Sequence, residues 1–264
     1  MYRWAGKVAL VTGASVGIGA QITTELAKNG MKVVAVARRL EKLKELAANI
    51  NGKFKGEVHP LQCDVQKEKD ILEVFKWTEE KFGGVDVLIN NAGVVSAESI
   101  IEGSTETYRK ILDVNVLAMA IGSRELVQSV KKRKASGHII NINSIAGHFA
   151  ESIRMPVSVY CASKYAVTGM TLSLRNEIVA AKLDIKITSI SPGMVKTAMV
   201  TDVFNQMGMD TTFEGIPVLE DTDIAEAVIY TLSVPKRVQI CEMVVMPHEA
   251  LATKDPRPYG TNPQ

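Results

Sequence analysis

The chain has few cysteines, and their spacing suits neither a disulfide framework nor a metal site. Its 264 residues include three cysteines, at positions 63, 161 and 241, and four histidines that form no ligand spacing with them. Disulfide-rich and zinc-binding sequences bring these residue types together in short, repeated spacings. We therefore expect a reduced, cytoplasmic protein without a bound metal.

Long apolar runs, an excess of one charge and an abundance of aromatics are also lacking. No apolar stretch approaches the ~18 residues that span a bilayer, and the run before Gly13 is far shorter than the core of a signal peptide. Lysine and arginine number 31 against 29 acids, and no aromatic is interleaved with the basic run at 131–134. We expect neither a membrane span nor a nucleic-acid partner.

The sequence does have a regular alternation of two apolar patterns. Seven short β-rich runs alternate with longer segments of helical apolar spacing. These runs cover residues 7–12, 32–37, 57–62, 85–90, 138–143, 185–190 and 239–246. Because the runs are apolar on both faces, the pattern predicts an α/β fold with a doubly wound, parallel, seven-stranded sheet and helices on both faces. We expect a single domain over residues 1–246 and a tail at 247–264.

A glycine-rich turn joins the first strand to the first helix. Gly13, Gly17 and Gly19 follow the strand directly, and the helical pattern starts near Ile18. Residues without Cβ let the backbone approach a pyrophosphate, whose charge then sits at the positive end of the helix. The turn, with Ser15 and Ile18, is predicted to bind a dinucleotide, and a purely structural turn is the alternative.

The second strand ends in two arginines where dinucleotide-binding units often carry an acid. Arg38 and Arg39 cannot accept hydrogen bonds from ribose hydroxyls as a carboxylate would. A guanidinium at this place matches the extra phosphate of NADP, so NADP is predicted rather than NAD. The alternative is a solvated pair that opens the next helix.

Further cofactor contacts are predicted after the third and fourth strands. Asp64, with Val65, is placed to accept a hydrogen bond from the adenine amino group, or else to cap the helix that begins near residue 67. Asn91, Ala92 and Gly93 follow the fourth strand. Small residues there would let a ribose lie against the backbone, and an asparagine amide would bridge neighbouring strand ends, although an ordinary turn is the alternative.

The turn after the sixth strand is the last predicted cofactor contact. Pro192 and Gly193 shape this turn, whose backbone, with Val195, would meet the nicotinamide amide. Thr197 would bind the same amide or cap the next helix.

Tyr160 and Lys164 are four residues apart at the head of a helical pattern, so they share one face of a helix. A phenol with an ordinary pKa of ~10 is a poor proton shuttle at neutral pH. An ammonium at ~4 Å would lower that pKa by about three units. Tyr160 is therefore predicted to be a general acid/base, and a simple surface pair is the alternative.

Two more polar residues are candidates for the same site. Ser144 follows the fifth strand at the same sheet edge, where its hydroxyl would hold a substrate oxygen. Asn115 lies among apolar neighbours in a long helical segment, and a buried amide needs hydrogen-bond partners. A water leading toward Lys164 and a satisfied core amide are equal alternatives for Asn115.

Together these motifs resemble the short-chain dehydrogenase/reductase family over nearly the whole chain, in order and in approximate spacing. The resemblance implies a Rossmann-type fold with strand order 3-2-1-4-5-6-7, a nicotinamide cofactor and a homodimer or homotetramer. It also implies a catalytic tetrad, in which Lys164 additionally holds the nicotinamide ribose and Asn115 positions a relay water. The tetrad consists of Asn115, Ser144, Tyr160 and Lys164.

Within the family, residues 138–144 and 225–230 look most like farnesol dehydrogenases and related reductases that act on steroids. Two features depart from the family pattern. Ser144 and Tyr160 are farther apart than in many members, which predicts a longer loop near residues 149–159. Val16 stands where NADP-dependent members often have a basic residue, so the NADP prediction depends on Arg38 and Arg39.

The resulting hypothesis is an NADP-dependent oxidoreductase that acts on an apolar alcohol or carbonyl such as farnesol or farnesal. A steroid or general carbonyl reductase is one alternative, and a dinucleotide-binding sensor or scaffold without turnover is another. The substrate pocket is predicted from apolar side chains in the loops after the catalytic strands. These are Val94, Val95, Phe149, Met155, Val157, Val159, Met194, Val195, Met199, Val200, Phe204, Met207, Met209 and Phe213.

Overall fold

Seven parallel strands form one sheet in the computed structural model, which describes residues 1–250. The strands are β1 (Val8–Thr12), β2 (Lys32–Ala37), β3 (Glu57–Gln62), β4 (Val87–Asn90), β5 (Gly137–Ile142), β6 (Ile185–Pro192) and β7 (Glu242–Val245). Their order across the sheet is β3-β2-β1-β4-β5-β6-β7, and every neighbouring pair is parallel. The predicted fold class and strand order are confirmed.

Eight α-helices of the described residues connect the strands. They are α1 (Gly17–Lys28), α2 (Leu40–Ile50), α3 (Glu68–Phe82), α4 (Thr105–Leu112), α5 (Ala118–Arg133), α6 (Tyr160–Ala180), α7 (Ala198–Gln206) and α8 (Asp221–Ser233). A π-helical turn over Asp113–Leu117 joins α4 to α5. None of the helices within residues 1–250 is both long and apolar enough to cross a membrane.

Two apolar cores lie on opposite faces of the sheet. One face packs against α1, α2 and α8 through residues such as Leu26, Leu43 and Val228, all fully buried. The other packs against α3, α5 and α6, for example through Leu126 and Ile178. Because both faces are covered, the central strands are apolar at successive positions, which is the signal that the sequence carries.

Strand ends differ from the predicted bounds where a neighbouring strand decides them. β6 extends two residues past the predicted end because Ser191 and Pro192 pair with Val244 and Val245 of β7. β7 itself is shorter than predicted, and as an edge strand it alternates exposed and half-buried residues. The predicted tail at 247–264 lies mostly outside the described residues.

The carboxyl ends of β1 and β4, in the middle of the sheet, form a topological switch point. β1 pairs with β2 on one side and with β4 on the other, so the connections after β1 and β4 diverge to opposite faces. A crevice opens between them at the carboxyl ends of the strands, which is where open α/β sheets bind ligands.

We predict that His138, which is fully buried in β5, makes the fold sensitive to acid. Burial, with Lys186 and Arg3 nearby, lowers the pKa of His138 from 6.5 to about 3. The unfolded chain binds this proton below pH 6.5 and the folded chain does not, so stability falls as the pH drops from 6.5 toward 3. At pH 5 the loss relative to pH 7 should be about 2 kcal/mol.

Urea unfolding of wild type and His138→Gln at pH 7 and pH 5 measures this loss. The glutamine amide keeps a donor for Thr188, which lies 2.9 Å from Nε2 of His138. The variant should lose about 2 kcal/mol less on acidification, whereas His248→Gln, an exposed control, should behave as wild type. An equal acid loss in His138→Gln would contradict the assignment.

Candidate active site

The glycine turn after β1 is a close-packed backbone crossing. Gly13 has φ +66°, and a Cβ there would lie 2.9 Å from the Cα of Ala92. A Cβ at Gly19 would lie 2.4 Å from the carbonyl oxygen of Gly13. Both positions therefore require glycine for packing, and Gly17, at φ +56°, requires it for its backbone conformation.

The amino end of α1 is left open toward the crevice. Val16 occupies the cap position and supplies no side-chain hydrogen bond, and the first turn contains no acid. The first amides of a helix have no intrahelical acceptor, and the helix dipole adds partial positive charge there. This end of α1 is therefore suited to bind an anion.

Arg38 and Arg39 stand exposed beside that helix end. Arg39 donates from Nη2 to Oγ of Ser15 at 3.0 Å, which ties the glycine turn to the start of α2. No ion pair within residues 1–250 involves Arg38 or Arg39. Both guanidinium groups are therefore available to bind an anion at the rim of the crevice. Arg39 also occupies the cap position of α2, as the structural alternative expected.

The end of β4 is fastened to β1 by Asn91. Its Nδ2 donates to the carbonyl oxygen of Thr12 at 2.9 Å, and its backbone N–H donates to the Thr12 hydroxyl at 3.0 Å. The backbone N–H of Ala92 donates to the same hydroxyl. The predicted bridging of neighbouring strand ends by an asparagine amide is confirmed.

The capping alternative is wrong for Asp64, whereas Thr197 does occupy the cap position of the next helix. The Asp64 carboxylate accepts from the backbone N–H of Gln66 at 3.2 Å, and α3 begins later, with Lys67 at its cap position. Thr197 is the cap residue of α7, although its hydroxyl donates to the carbonyl oxygen of Val195 at 3.4 Å and makes no side-chain cap bond. Both side chains line the crevice.

Tyr160 and Lys164 lie near Ser144 at the carboxyl end of β5. Tyr160 begins α6, and Lys164, one turn later, donates from Nζ to the carbonyl oxygen of Ile142 at 3.0 Å. The same Nζ lies 5.6 Å from the centre of the Tyr160 ring, and Ser144 stands near the phenol on the wall of the same crevice. Lys164 is only 4% exposed, so the surface-pair alternative is wrong.

Asn115 lies behind this group rather than on the wall of the crevice. Its Oδ1 accepts from the N–H of Val94 at 2.8 Å, and its Nδ2 donates to the carbonyl oxygen of Val94 and to Oγ of Ser163 at 2.9 and 3.0 Å. Both amide hydrogens are therefore used, as the alternative of a satisfied core amide requires. The side chain holds the segment after β4 against α6, and a role with a relay water stays a prediction.

A single cleft of about 660 Å³ connects all these parts. Every residue predicted to contact the cofactor lines it, and so does Ser144. Ten of the fourteen apolar residues predicted for the substrate side also line it; the four that do not are Phe149, Val159, Met207 and Phe213. Phe213 instead packs beneath the wall, with its ring centre 5.4 Å from that of Phe204.

Sequence reasoning missed several lining residues in the irregular loops. Ile153, Ile216 and Pro217 lie on the wall of the cleft. They belong to two stretches that interrupt the strand–helix alternation, residues 147–158 and 194–218, so the break in pattern signals their position and no motif does.

Comparison with known proteins agrees with this geometry. The family model described as short chain dehydrogenase matches residues 7–208, which contain the glycine turn, Ser144, Tyr160 and Lys164. The chain belongs to the short-chain dehydrogenase family.

Individual members of the family match over nearly their whole length. A farnesol dehydrogenase of Aedes aegypti is 48% identical over 94% of this chain and 98% of its own. Dehydrogenase/reductase SDR family member 11 of Gallus gallus is 44% identical over 96% of this chain and 100% of its own. Among solved structures, actinorhodin polyketide ketoreductase with NADPH has a TM-score of 0.82 at 27% identity, and the match covers 92% of this chain and 96% of that one.

Burial sets the pKa values of the Tyr160–Lys164 pair in this short-chain dehydrogenase. It raises the pKa of Tyr160 to about 12, against the hydrogen bond from Ser144, which lowers it. Burial also lowers the pKa of Lys164 to about 8. Because burial is the largest cause, the pKa of Tyr160 lies above its ordinary value, and not below it as the spacing with Lys164 predicts.

Replacing Lys164 with methionine should stabilise the ligand-free protein at neutral pH. An ammonium whose pKa falls from 10.5 to about 8 on folding costs about 3 kcal/mol below pH 8. That cost declines as the pH rises from 8 to 10.5, where the unfolded chain also loses the proton. The bond to Ile142 offsets about 1 kcal/mol of the gain.

Urea unfolding of wild type and Lys164→Met at pH 7 and pH 9.5 measures this cost. The variant should be more stable by about 2 kcal/mol at pH 7, with a smaller difference at pH 9.5. Lys131→Met, which removes an exposed ammonium, is the matched control and should change neither value. A Lys164→Met protein that is less stable at pH 7 would refute the argument.

Proposed function

We propose that the protein is an NADP-dependent oxidoreductase that acts on an apolar alcohol or carbonyl such as farnesol or farnesal. The observation that carries the proposal is the course of the cleft. It begins at Arg38 and Arg39, passes the open end of α1 and the Tyr160–Ser144 pair, and ends among apolar loop residues. One half suits a phosphorylated dinucleotide, and the other suits a long apolar molecule.

The cofactor half fits NADP by its charge and its close-packed backbone. The pyrophosphate would lie at the uncapped amino end of α1, and the extra phosphate would meet Arg38 and Arg39, neither of which is paired with an acid of residues 1–250. Asp64 is available to accept from the adenine amino group. The ketoreductase structure that contains NADPH shares this fold, which supports the same type of cofactor here.

The chain's own residues would handle the proton and the position of the substrate. Bound NADP(H) supplies the hydride chemistry. Because the pKa of Tyr160 is about 12, its phenol is protonated at neutral pH and can donate to a carbonyl oxygen in reduction, whereas in oxidation the phenolate would accept the proton of the alcohol. Ser144, which stands near the same phenol, would hold that oxygen in place. The Lys164 ammonium would hold the ribose and stabilise any phenolate that forms.

The substrate half is apolar and adaptable. Met155, Met194, Met199 and Met209 line it, and flexible thioether side chains adjust to an unbranched or isoprenoid chain better than to a rigid, polar sugar. The relative from Aedes aegypti is named a farnesol dehydrogenase, which supports the same substrate class for this chain.

We also propose a homodimer or homotetramer. Three large apolar side chains stand exposed around α5 and α6: Leu117 at 52%, Leu172 at 57% and Val179 at 63%. A second copy of the chain would remove such side chains from water.

Replacing both Arg38 and Arg39 with alanine should weaken NADPH far more than NADH. One charged hydrogen bond is worth about 1.5 to 3 kcal/mol, so the Kd for NADPH should rise at least about tenfold while that for NADH changes little. Fluorescence titration of each reduced cofactor measures both constants. Equal losses for the two cofactors, or a wild type that prefers NADH, would contradict the NADP assignment.

The specificity constant for primary alcohols should rise steeply with chain length, up to geraniol and farnesol. Each buried methylene contributes about 0.8 kcal/mol, so kcat/KM should climb until the pocket is filled. Tyr160→Phe is the control, because it keeps the ring but removes the proton, and its turnover should fall about 10² to 10⁴-fold with NADPH binding retained. A kcat/KM that does not change with chain length would refute the apolar pocket. Activity confined to steroid ketones would favour the steroid reductase. NADPH binding without any turnover would favour the sensor.

A further inference from the structure

A short segment after β5 carries Ser144 and lies against α6. It begins at Ser144, forms a 3₁₀ turn over Ile145–Gly147 and ends at His148. The segment packs directly on α6, since a Cβ at Gly147 would lie 2.6 Å from the carbonyl oxygen of Lys164. Whatever fixes the end of this segment therefore also fixes Ser144 relative to the helix that carries Tyr160.

The backbone of this segment is held from α6. The Tyr165 hydroxyl donates to the carbonyl oxygen of His148 at 2.7 Å, and the Thr168 hydroxyl donates to that of Gly147 at 3.1 Å. These two bonds come from successive turns on one side of α6. They set the distance of the segment from the helix but do not tie it to the sheet.

The His148 side chain makes the tie to the sheet. Its Nε2 lies 2.9 Å from Oγ of Ser191 in β6, and the Ser191 hydroxyl donates to Oε1 of Glu242 in β7 at 2.7 Å. A hydroxyl has one hydrogen, so Ser191 accepts from His148, and Nε2 of His148 carries a hydrogen. Glu242 also accepts from the Ser189 hydroxyl at 3.2 Å, so the carboxylate holds two donors from β6.

Ser191 directly precedes the turn predicted to meet the nicotinamide. Pro192 ends β6, and Gly193 donates its N–H to the carbonyl oxygen of Val245 at 2.7 Å. The chain of hydrogen bonds from His148 to Glu242 thus spans the Ser144 segment, the end of β6 and the edge strand β7. A displacement of His148 would therefore move both Ser144 and the Pro192–Gly193 turn.

The arrangement is not a hydrolytic triad. In such a triad the acid binds the histidine nitrogen opposite the one that faces the serine, whereas Glu242 accepts from Ser191 and lies 3.4 Å from the same Nε2. Ser191 is also fully buried, so no substrate carbonyl reaches its hydroxyl.

We propose that His148 is a positioning residue for the oxidoreduction, and that with Ser191 and Glu242 it locks Ser144 and the Pro192–Gly193 turn into register with Tyr160. This inference rests on the proposed function, because it concerns the geometry of that same site. His148 is not among the residues that line the cleft, so it acts through Ser144 and Ser191.

The test compares His148→Phe with His148→Gln in the full-length protein. Phenylalanine fills the space without a donor, and displacement of Ser144 should lower kcat about 10- to 100-fold while the Kd for NADPH changes less than about threefold. Glutamine can present an N–H toward Ser191 and should recover most of the lost kcat. A fall confined to KM, or no recovery with glutamine, would overturn the proposal.

Glu242 provides a second, less disruptive route, because its side chain is 35% exposed on the edge strand. Glu242→Gln keeps an acceptor for Ser191 and should stay near wild type, whereas Glu242→Leu should lose kcat as His148→Phe does. The kcat of the double variant His148→Phe/Glu242→Leu should be no lower than that of the less active single variant, because both substitutions break the same network. Additive losses would refute a shared network.

His59→Phe is the matched control. His59 is also a partly exposed histidine, 20% against 19% for His148, and its Nε2 lies 3.2 Å from Glu57, but it stands on β3, at the opposite side of the sheet from β6 and β7. It should keep the wild-type kcat. An equal loss at His59 would mean that the effect of His148→Phe is general destabilisation.

Amide hydrogen exchange separates this proposal from the proposed function, because it requires no turnover. The N–H groups of Gly147 and His148 donate to Ser144 and Ile145 in the 3₁₀ turn, and they should exchange faster in His148→Phe and Glu242→Leu than in wild type or His59→Phe. Unchanged exchange would overturn the positioning role even if the enzyme is active. Faster exchange in a protein that turns over no alcohol or carbonyl would instead refute the proposed function alone.

Discussion

The close approach of β1 and β4 at their carboxyl ends is the constraint on which the rest of the site depends. Gly13 and Gly19 have no room for a Cβ, and Asn91 holds the backbone of Thr12 from across the gap. This contact leaves the amino end of α1 open at the base of the cleft. A larger residue at either glycine would separate the strand ends, and the anion site and the wall formed by Ala92 would move with them.

The opposite side of the cleft carries a cost in stability. Lys164 is buried and Tyr160 is half-buried, and desolvation moves their pKa values in opposite directions, to about 8 and about 12. A protein under selection for stability alone would not bury an ammonium without a carboxylate beside it. Such an unfavourable burial is typical of a binding site, where a ligand offsets the cost of the buried charge. It distinguishes this pair from a tyrosine and a lysine that share a helix face by chance.

Much of the fold and the cofactor side could be predicted from the sequence because their signals are local. Seven apolar runs, the glycine turn and the Tyr160–Lys164 spacing each lie within a few consecutive residues. The end of β6 was not predictable, because Pro192 becomes part of a strand only through its pairing with Val245. Likewise, no short-range pattern connects His148 with Ser191 and Glu242, which are separated by 43 and then 51 positions along the chain.

The sequence by itself determined the alternation of strands and helices, and with it the sheet edge at which Ser144, Tyr160 and the glycine turn meet. The side chains that each element buries follow from its own apolar period. Only the tertiary structure decided the ionisation of the site and the use of Asn115, since desolvation and hydrogen-bond partners depend on distant segments. The direction of the Tyr160 pKa shift is the clearest case: spacing along a helix predicts an ammonium nearby, but the packing around both groups decides which form of the phenol is favoured.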